Sequence, residues 1–105
     1  MHKGLQMKII FIGDQLLVNG YRTSGIQSIP VSSPEELLKA VDMVFKMEDI
    51  GIVLVDRDYS SQVKDRIAYL KVKKVMPVLV EVPGRRATNE IELKSMISRI
   101  MGVSV

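Results

Sequence analysis

Short apolar runs alternate along this chain with longer stretches in which apolar residues recur every three or four positions, and that alternation predicts its elements. Lys8–Ile12 is almost wholly apolar, as a strand covered on both faces requires. Gly13-Asp14 breaks the run and opens a helix that Asp14 can cap and Gly25 can end. Gly20 inside that helix costs about 1 kcal/mol relative to alanine. Close approach to a strand or a partner subunit would offset this, with Tyr21 and Arg22 projecting beside it. Ile26–Val31 reads as a second strand, and Pro30 suits an edge because proline cannot donate to a ladder.

The clearest helix start follows at Ser33-Pro34-Glu35-Glu36, with a serine cap, a proline at the first helical position and a glutamate that can return a bond to the serine N–H. Leu37, Leu38, Val41, Val44 and Phe45 then share one face, with Lys39, Asp42 and Lys46 pointing away. Ile50–Val55 lacks polar alternation, as a central parallel strand does, and Asp56-Arg57-Asp58 ends it as a loop. Ser60 or Ser61 caps a third helix whose buried stripe is Val63, Ile67 and Leu70. Met76–Val82 is the fourth strand, Pro83-Gly84 breaks it, and Arg85–Asn89 is a polar loop. Thr88 or Asn89 caps a final helix, Glu90–Met101, with Leu93, Met96, Ile97, Ile100 and Met101 on one face.

Strand followed by helix, four times over, predicts an α/β fold: a small open doubly wound parallel sheet of four strands alternating with four helices. Residues 1–84 form the α/β domain, with 1–6 a frayed leader, and 85–105 are a linker and an amphipathic C-terminal helix. Ligands or partners of such sheets gather at the carboxyl ends of the strands, here Gly13-Asp14, Asp56-Arg57-Asp58 and Glu81-Val82-Pro83-Gly84.

Composition narrows this little. The 105 residues suffice for one core, and no apolar run approaches the roughly 18–20 residues that cross a bilayer. With no cysteine, disulfides and thiolate metal sites are excluded and an intracellular location is favoured. The single histidine, His2, lies in the leader and reads as incidental. A net charge of +3 permits contact with nucleic acid or an acidic face. The densest basic groups, Lys71-Lys73-Lys74 and Arg85-Arg86, lack interleaved aromatics and read as solvated surface.

Asp14, Asp56 and Asp58 are the most suggestive chemical set, since carboxylates at adjacent strand ends can hold Mg²⁺ and offer one as phosphoryl acceptor, the layout of receiver-like phospho-signalling domains. The first strand here carries one acid where that family has two, and no fifth strand with its lysine follows. A helix cap and two loop acids account for the three without a metal. Gly13, Gly20 and Gly25 are too widely spaced for a dinucleotide-binding turn, and no phosphate-binding G-x-x-x-x-G-K-[ST] loop is present. The serines lack an ordinary base to activate them. No catalytic, cofactor or metal residue is assigned; a nucleotide-binding module stands as a third reading, tested by calorimetry with ATP.

IGD, VNGYRTSGI, PEELLKAV, DIGIVLVD, MPVLVEVPG and a terminal ISRIMG occur here in an order that resembles the F subunits of the archaeal and bacterial V-type (A-type) ATPases, over Met7 to Gly102. Gln15-Leu16-Leu17, Tyr21 and Thr23-Ser24 depart from the usual family residues. The resemblance implies a Rossmann-like, non-catalytic part of the central rotor stalk, cytoplasmic and peripheral to the membrane. It would bind the coiled coil of the stalk's D subunit, near the subunit that joins the stalk to the membrane ring, and help couple ATP turnover to proton or sodium transport. It also implies a mobile last helix that lies on the domain or reaches along that coiled coil toward the A and B subunits. Tyr21, Arg22, Leu93, Met96, Ile97 and Ile100 are then the expected partner interface. A terminal helix packed on its own sheet would carry the same apolar stripe.

Overall fold

The structure, a computed structural model, describes residues 7–73, 76–85, 95 and 97–100. The leader, the Thr88 or Asn89 cap and most of the expected last helix, Leu93 and Met96 included, lie outside the described residues.

The order is β1 (Lys8–Gly13), α1 (Gln15–Thr23), β2 (Gln27–Pro30), α2 (Pro34–Phe45), β3 (Ile50–Asp56), α3 (Arg57–Ser60), a 3₁₀ turn (Ser61–Val63), α4 (Lys64–Lys73) and β4 (Val78–Val82). All strand pairs are parallel, in the order β2-β1-β3-β4. The two longest apolar runs thus take the centre and the proline-ended strand an edge. This is the doubly wound α/β sheet that the alternation predicts, and the order reverses between β1 and β3.

Successive strand residues serve opposite faces. Ile10, Ile12, Val53, Val55 and Leu79 pack with Leu37, Val41, Val44 and Phe45 of α2 and with Ile67 of α4. Phe11, Leu54 and Val82 face the other way, into a second cluster with Leu17, Val18 and Tyr21 of α1, Ile26 and Ile97. Residues 97–100 are helical, so a terminal helical turn does cover that second face.

Local signals explain most boundaries. Asp14 caps α1 by accepting from the Leu16 N–H, and Gly25 follows the helix with φ +88°, where a side chain would be strained. Ser33 Oγ accepts from the Glu36 N–H at 3.1 Å, while Glu36 Oε1 accepts from Ser32 N–H at 2.9 Å, one residue earlier than a capping box at Ser33 requires. The start of α3 differs more. This four-residue helix, absent from the sequence expectation, begins directly after β3 and is capped by Asp56, which accepts from the Asp58 N–H at 2.9 Å. The expected helix with Val63, Ile67 and Leu70 follows as the 3₁₀ turn and α4, and Ser60 at its head makes no side-chain cap bond. Ser60 is buried and donates instead to Glu81 Oε2 at 2.6 Å, beside the Lys71–Glu81 ion pair. These two contacts tie the α3–α4 layer to β4, and together they hold the Glu81 carboxyl below its ordinary pKa, the serine bond foremost.

Tyr21 does not project from α1. Its ring is wholly buried and stacks on Phe11 with centroids 4.0 Å apart and planes 17° from parallel. The hydroxyl finds no partner among the described residues, and burial followed by the nearby Asp56 charge pushes its pKa far up. Tyr21→Phe should therefore stabilise the domain by about 1 kcal/mol in urea titrations, since it removes an unsatisfied buried hydroxyl and keeps the stacked ring.

Candidate functional site

The carboxyl ends of β1 and β3 meet at the point where the strand order reverses. Asp14, Asp56, Asp58, Tyr59, Gln62 and Arg85 line a pocket of about 140 Å³ there. The three suggestive aspartates are brought together, as the parallel topology requires. Arg85 joins them from beyond β4, with Nη1 3.9 Å from Asp14 Oδ2.

Their duties are mostly internal. Asp56 is 0% exposed, accepting from the Asp14 N–H at Oδ2 (3.0 Å) and from the Asp58 N–H at Oδ1 (2.9 Å). One carboxylate thus pins the first turns of α1 and α3 to the same strand end. Reading Asp56 as a loop acid is corrected here: it is a buried clasp. Asp58 lies against Gly84, where a Cβ would overlap its carboxyl group, so the Pro83-Gly84 turn can close over it only because residue 84 has no side chain. Gln62 Nε2 donates to the Asp58 carbonyl, and Arg57 Nη2 to the Glu81 carbonyl.

A phosphoryl acceptor must present a carboxylate oxygen to its donor, whereas Asp56 turns both of its oxygens onto backbone N–H groups. Among the described residues, no three His, Cys, Asp or Glu side chains are grouped to hold a metal ion. The central acid of the pocket is turned inward and braces the helices.

Burial raises the Asp56 pKa above the ordinary aspartate value, more than its two backbone hydrogen bonds lower it. The folded state then holds this proton more tightly than the unfolded chain. Ionising Asp56 costs stability: the full cost is present above the raised value and vanishes below the ordinary one, about 3.9. Asp49 and Glu81, both held low, act with the opposite sign and lose their contribution as pH falls. Urea titrations at neutral pH and near pH 4 should therefore show the parent gaining stability relative to Asp56→Asn as pH falls. A parent that loses ground would overturn the assignment.

The expected interface residues fall in separate places. Tyr21 is inside, Arg22 is exposed on α1 with Nη2 donating to the Ser28 carbonyl at 3.1 Å, and Ile97 is 3% exposed in the second cluster. Ile100 is partly buried against that cluster. Among the described residues no helix is long and apolar enough to cross a membrane.

Comparison with known proteins agrees with this architecture. The family described as ATP synthase (F/14-kDa) subunit matches residues 9–100. The chain is 32% identical over 99 residues to the F subunit of the A-type ATP synthase of Archaeoglobus fulgidus, covering 93% of this chain and 96% of that protein. It is 28% identical over 102 residues to the F subunit of the A-type ATP synthase of Methanocaldococcus jannaschii, covering 94% and 99%. The crystal structure of the V-type ATP synthase's F subunit from Archaeoglobus fulgidus superposes with a TM-score of 0.60 at 30% identity, covering 73% of this chain and 98% of that one. A match that runs from β1 to the terminal helical turn, joined to a shared sheet in a solved relative, means that the chain belongs to the family of ATP synthase (F/14-kDa) subunits.

Proposed function

We propose that this chain is the non-catalytic F subunit in the central rotor stalk of an A-type or V-type rotary ATPase. There it binds the coiled coil of the D subunit, close to the subunit that connects stalk and membrane ring, and helps couple ATP turnover to proton or sodium transport. The observation that carries the reading is the family match over residues 9–100, in a domain where two strand-end acids, Asp14 and Asp56, brace helix starts. Such a subunit works by its surface. In the assembled enzyme it lies on the cytoplasmic side, peripheral to the membrane, and the A and B subunits are within reach only of its C-terminal helix.

We propose a regulatory role for that helix, whose Ile97 sits in the second cluster and sets the cost of any change of seat. To leave the sheet for another seat, the helix must give up the burial of Ile97, worth about 1.5–3 kcal/mol, and the new seat must return as much. Rotary complexes assembled with and without this chain test the function. The reading expects ion transport per ATP hydrolysed to fall without it, while the chain alone neither binds nor hydrolyses ATP. Coupling that is indifferent to its presence would overturn the reading.

A further inference from the structure

Helix α4 carries the whole of the chain's excess charge. Of 15 basic and 12 acidic residues in the chain, α4 holds four basic (Lys64, Arg66, Lys71, Lys73) and one acidic (Asp65), which leaves eleven of each elsewhere. Its apolar residues are divided as unusually as its charge. Only Ile67 of its ten residues is buried, with Leu70 partly covered behind it, whereas Tyr69 is 58% exposed and Val72 83%.

At about 3.6 residues per turn, Ala68, Tyr69 and Val72 fall in one outward stripe opposite Ile67 and Leu70. Lys64 and Lys71 border that stripe on one side, Arg66 and Lys73 on the other. Lys71 reaches back to Glu81, and the Lys73 ammonium lies 5.7 Å from the Tyr69 ring centroid, so two of the cations are held in place at the stripe's margins. Asp65 falls at the N-terminal end of the stripe, in the first turn, where it complements the helix dipole. A shallow groove of about 530 Å³ runs along residues 61–66, at the N-terminal end of α4.

We infer that the outer face of α4 docks a helix of another protein subunit, one whose apolar stripe is flanked on both sides by carboxylates. The occupant follows from complementarity. Two large apolar side chains standing in water seek an apolar stripe, and cations on both margins select acids on both margins of the partner, the arrangement by which paired helices set register. An anionic membrane would suit the charge but not the stripe, since one tyrosine, one valine and one alanine bury too little to seat a helix in the acyl boundary.

The inference rests on the rotor-stalk reading and names the surface through which it acts. Its test measures binding of the purified full chain to the purified D subunit of the same organism's enzyme by calorimetry at low and high salt. Val72→Glu, and separately Arg66→Glu with Lys73→Glu, should each weaken binding about tenfold or more, with the charge variant also flattening the salt dependence. Circular dichroism of both should match the parent, because the substituted side chains are exposed. Binding at parental affinity by both variants would overturn the inference and leave the rotor reading standing. Failure of the parent itself to bind would overturn the reading instead. Vesicles of anionic lipid serve as the second probe: parent binding that Val72→Glu abolishes, with D-subunit binding untouched, would assign this face to a membrane and overturn the inference.

Discussion

A Phe11→Ala variant is expected to lose about 3–5 kcal/mol of folding free energy in urea titrations. Phe11 is 0% exposed on one of the two central strands, opposite Ser28 of β2 and Leu54 of β3. Its ring is the floor on which α1 rests through Tyr21. Truncation removes the stacked pair and leaves a cavity bounded by two strands and a helix. Strand backbones held in parallel ladders cannot collapse into such a space. With total stability of about 5–15 kcal/mol for a domain, a loss of this size puts the variant near unfolding at moderate temperature. Leu16→Ala on the same helix serves as control: Leu16 is exposed, and the change should stay within about 0.5 kcal/mol. A Phe11→Ala loss below about 1 kcal/mol would show that α1 is held by something other than this stack.

Ile97→Asp should free the terminal helical turn from the sheet. Ile97 is packed in the cluster of Phe11, Leu17, Val18, Tyr21, Ile26, Leu54 and Val82, a set whose one side-chain polar group is the Tyr21 hydroxyl. Burying a charge there, with a single hydroxyl at most to meet it, costs more than giving up the seat. The turn should leave, at a cost of about 2–5 kcal/mol to the domain. Hydrogen exchange is the suitable reading. Amides of residues 97–100 should exchange as freely as those of an unfolded chain, while those of β1 and β3 stay protected. Exchange in the terminal turn like that of the parent would contradict the docked position. Collapse of protection in β1 and β3 would make the turn a full core element and leave little room for a helix that changes partners.

Much of this fold is legible in the residues themselves. The uninterrupted apolar runs at Lys8–Ile12 and Ile50–Val55 mark the two central strands, because only strands covered on both faces tolerate such composition. Proline at the end of β2 marks the edge, and Ser33-Pro34 marks the start of α2 to the residue. The meeting of Asp14, Asp56 and Asp58 at the strand ends follows from parallel topology alone.

What the residues do not disclose depends on burial. Serine is a common cap, so Ser60 and Ser61 stand out before the helix of Ile67 and Leu70, yet Ser60 makes no cap bond there because it is buried and bonds Glu81. The short α3 ahead of it is capped by Asp56, whose buried carboxylate serves N–H groups at the starts of two helices at once. Tyr21 stands three and four residues after Val18 and Leu17, a spacing that puts it on the buried stripe of α1, and the expectation that it projects with Arg22 overlooks that spacing. What the spacing does not report is the partner: α1 approaches β1 closely enough for the Tyr21 ring to stack on Phe11. The concentration of charge on α4 does not show as a run of consecutive cations. Lys64, Arg66, Lys71 and Lys73 are separated in sequence and become two margins of one stripe only on a helix.

On the rotor-stalk reading, the chain acts by holding other proteins and performs no chemistry of its own. Titration of the purified chain into the purified coiled-coil D subunit, followed by calorimetry and native mass spectrometry, tests this most directly. A tight one-to-one complex, formed equally with and without Mg²⁺ and a small phosphodonor, is the predicted result. Two proteins that remain separate, or a chain that acquires a phosphoryl group lost in Asp56→Asn, would contradict it.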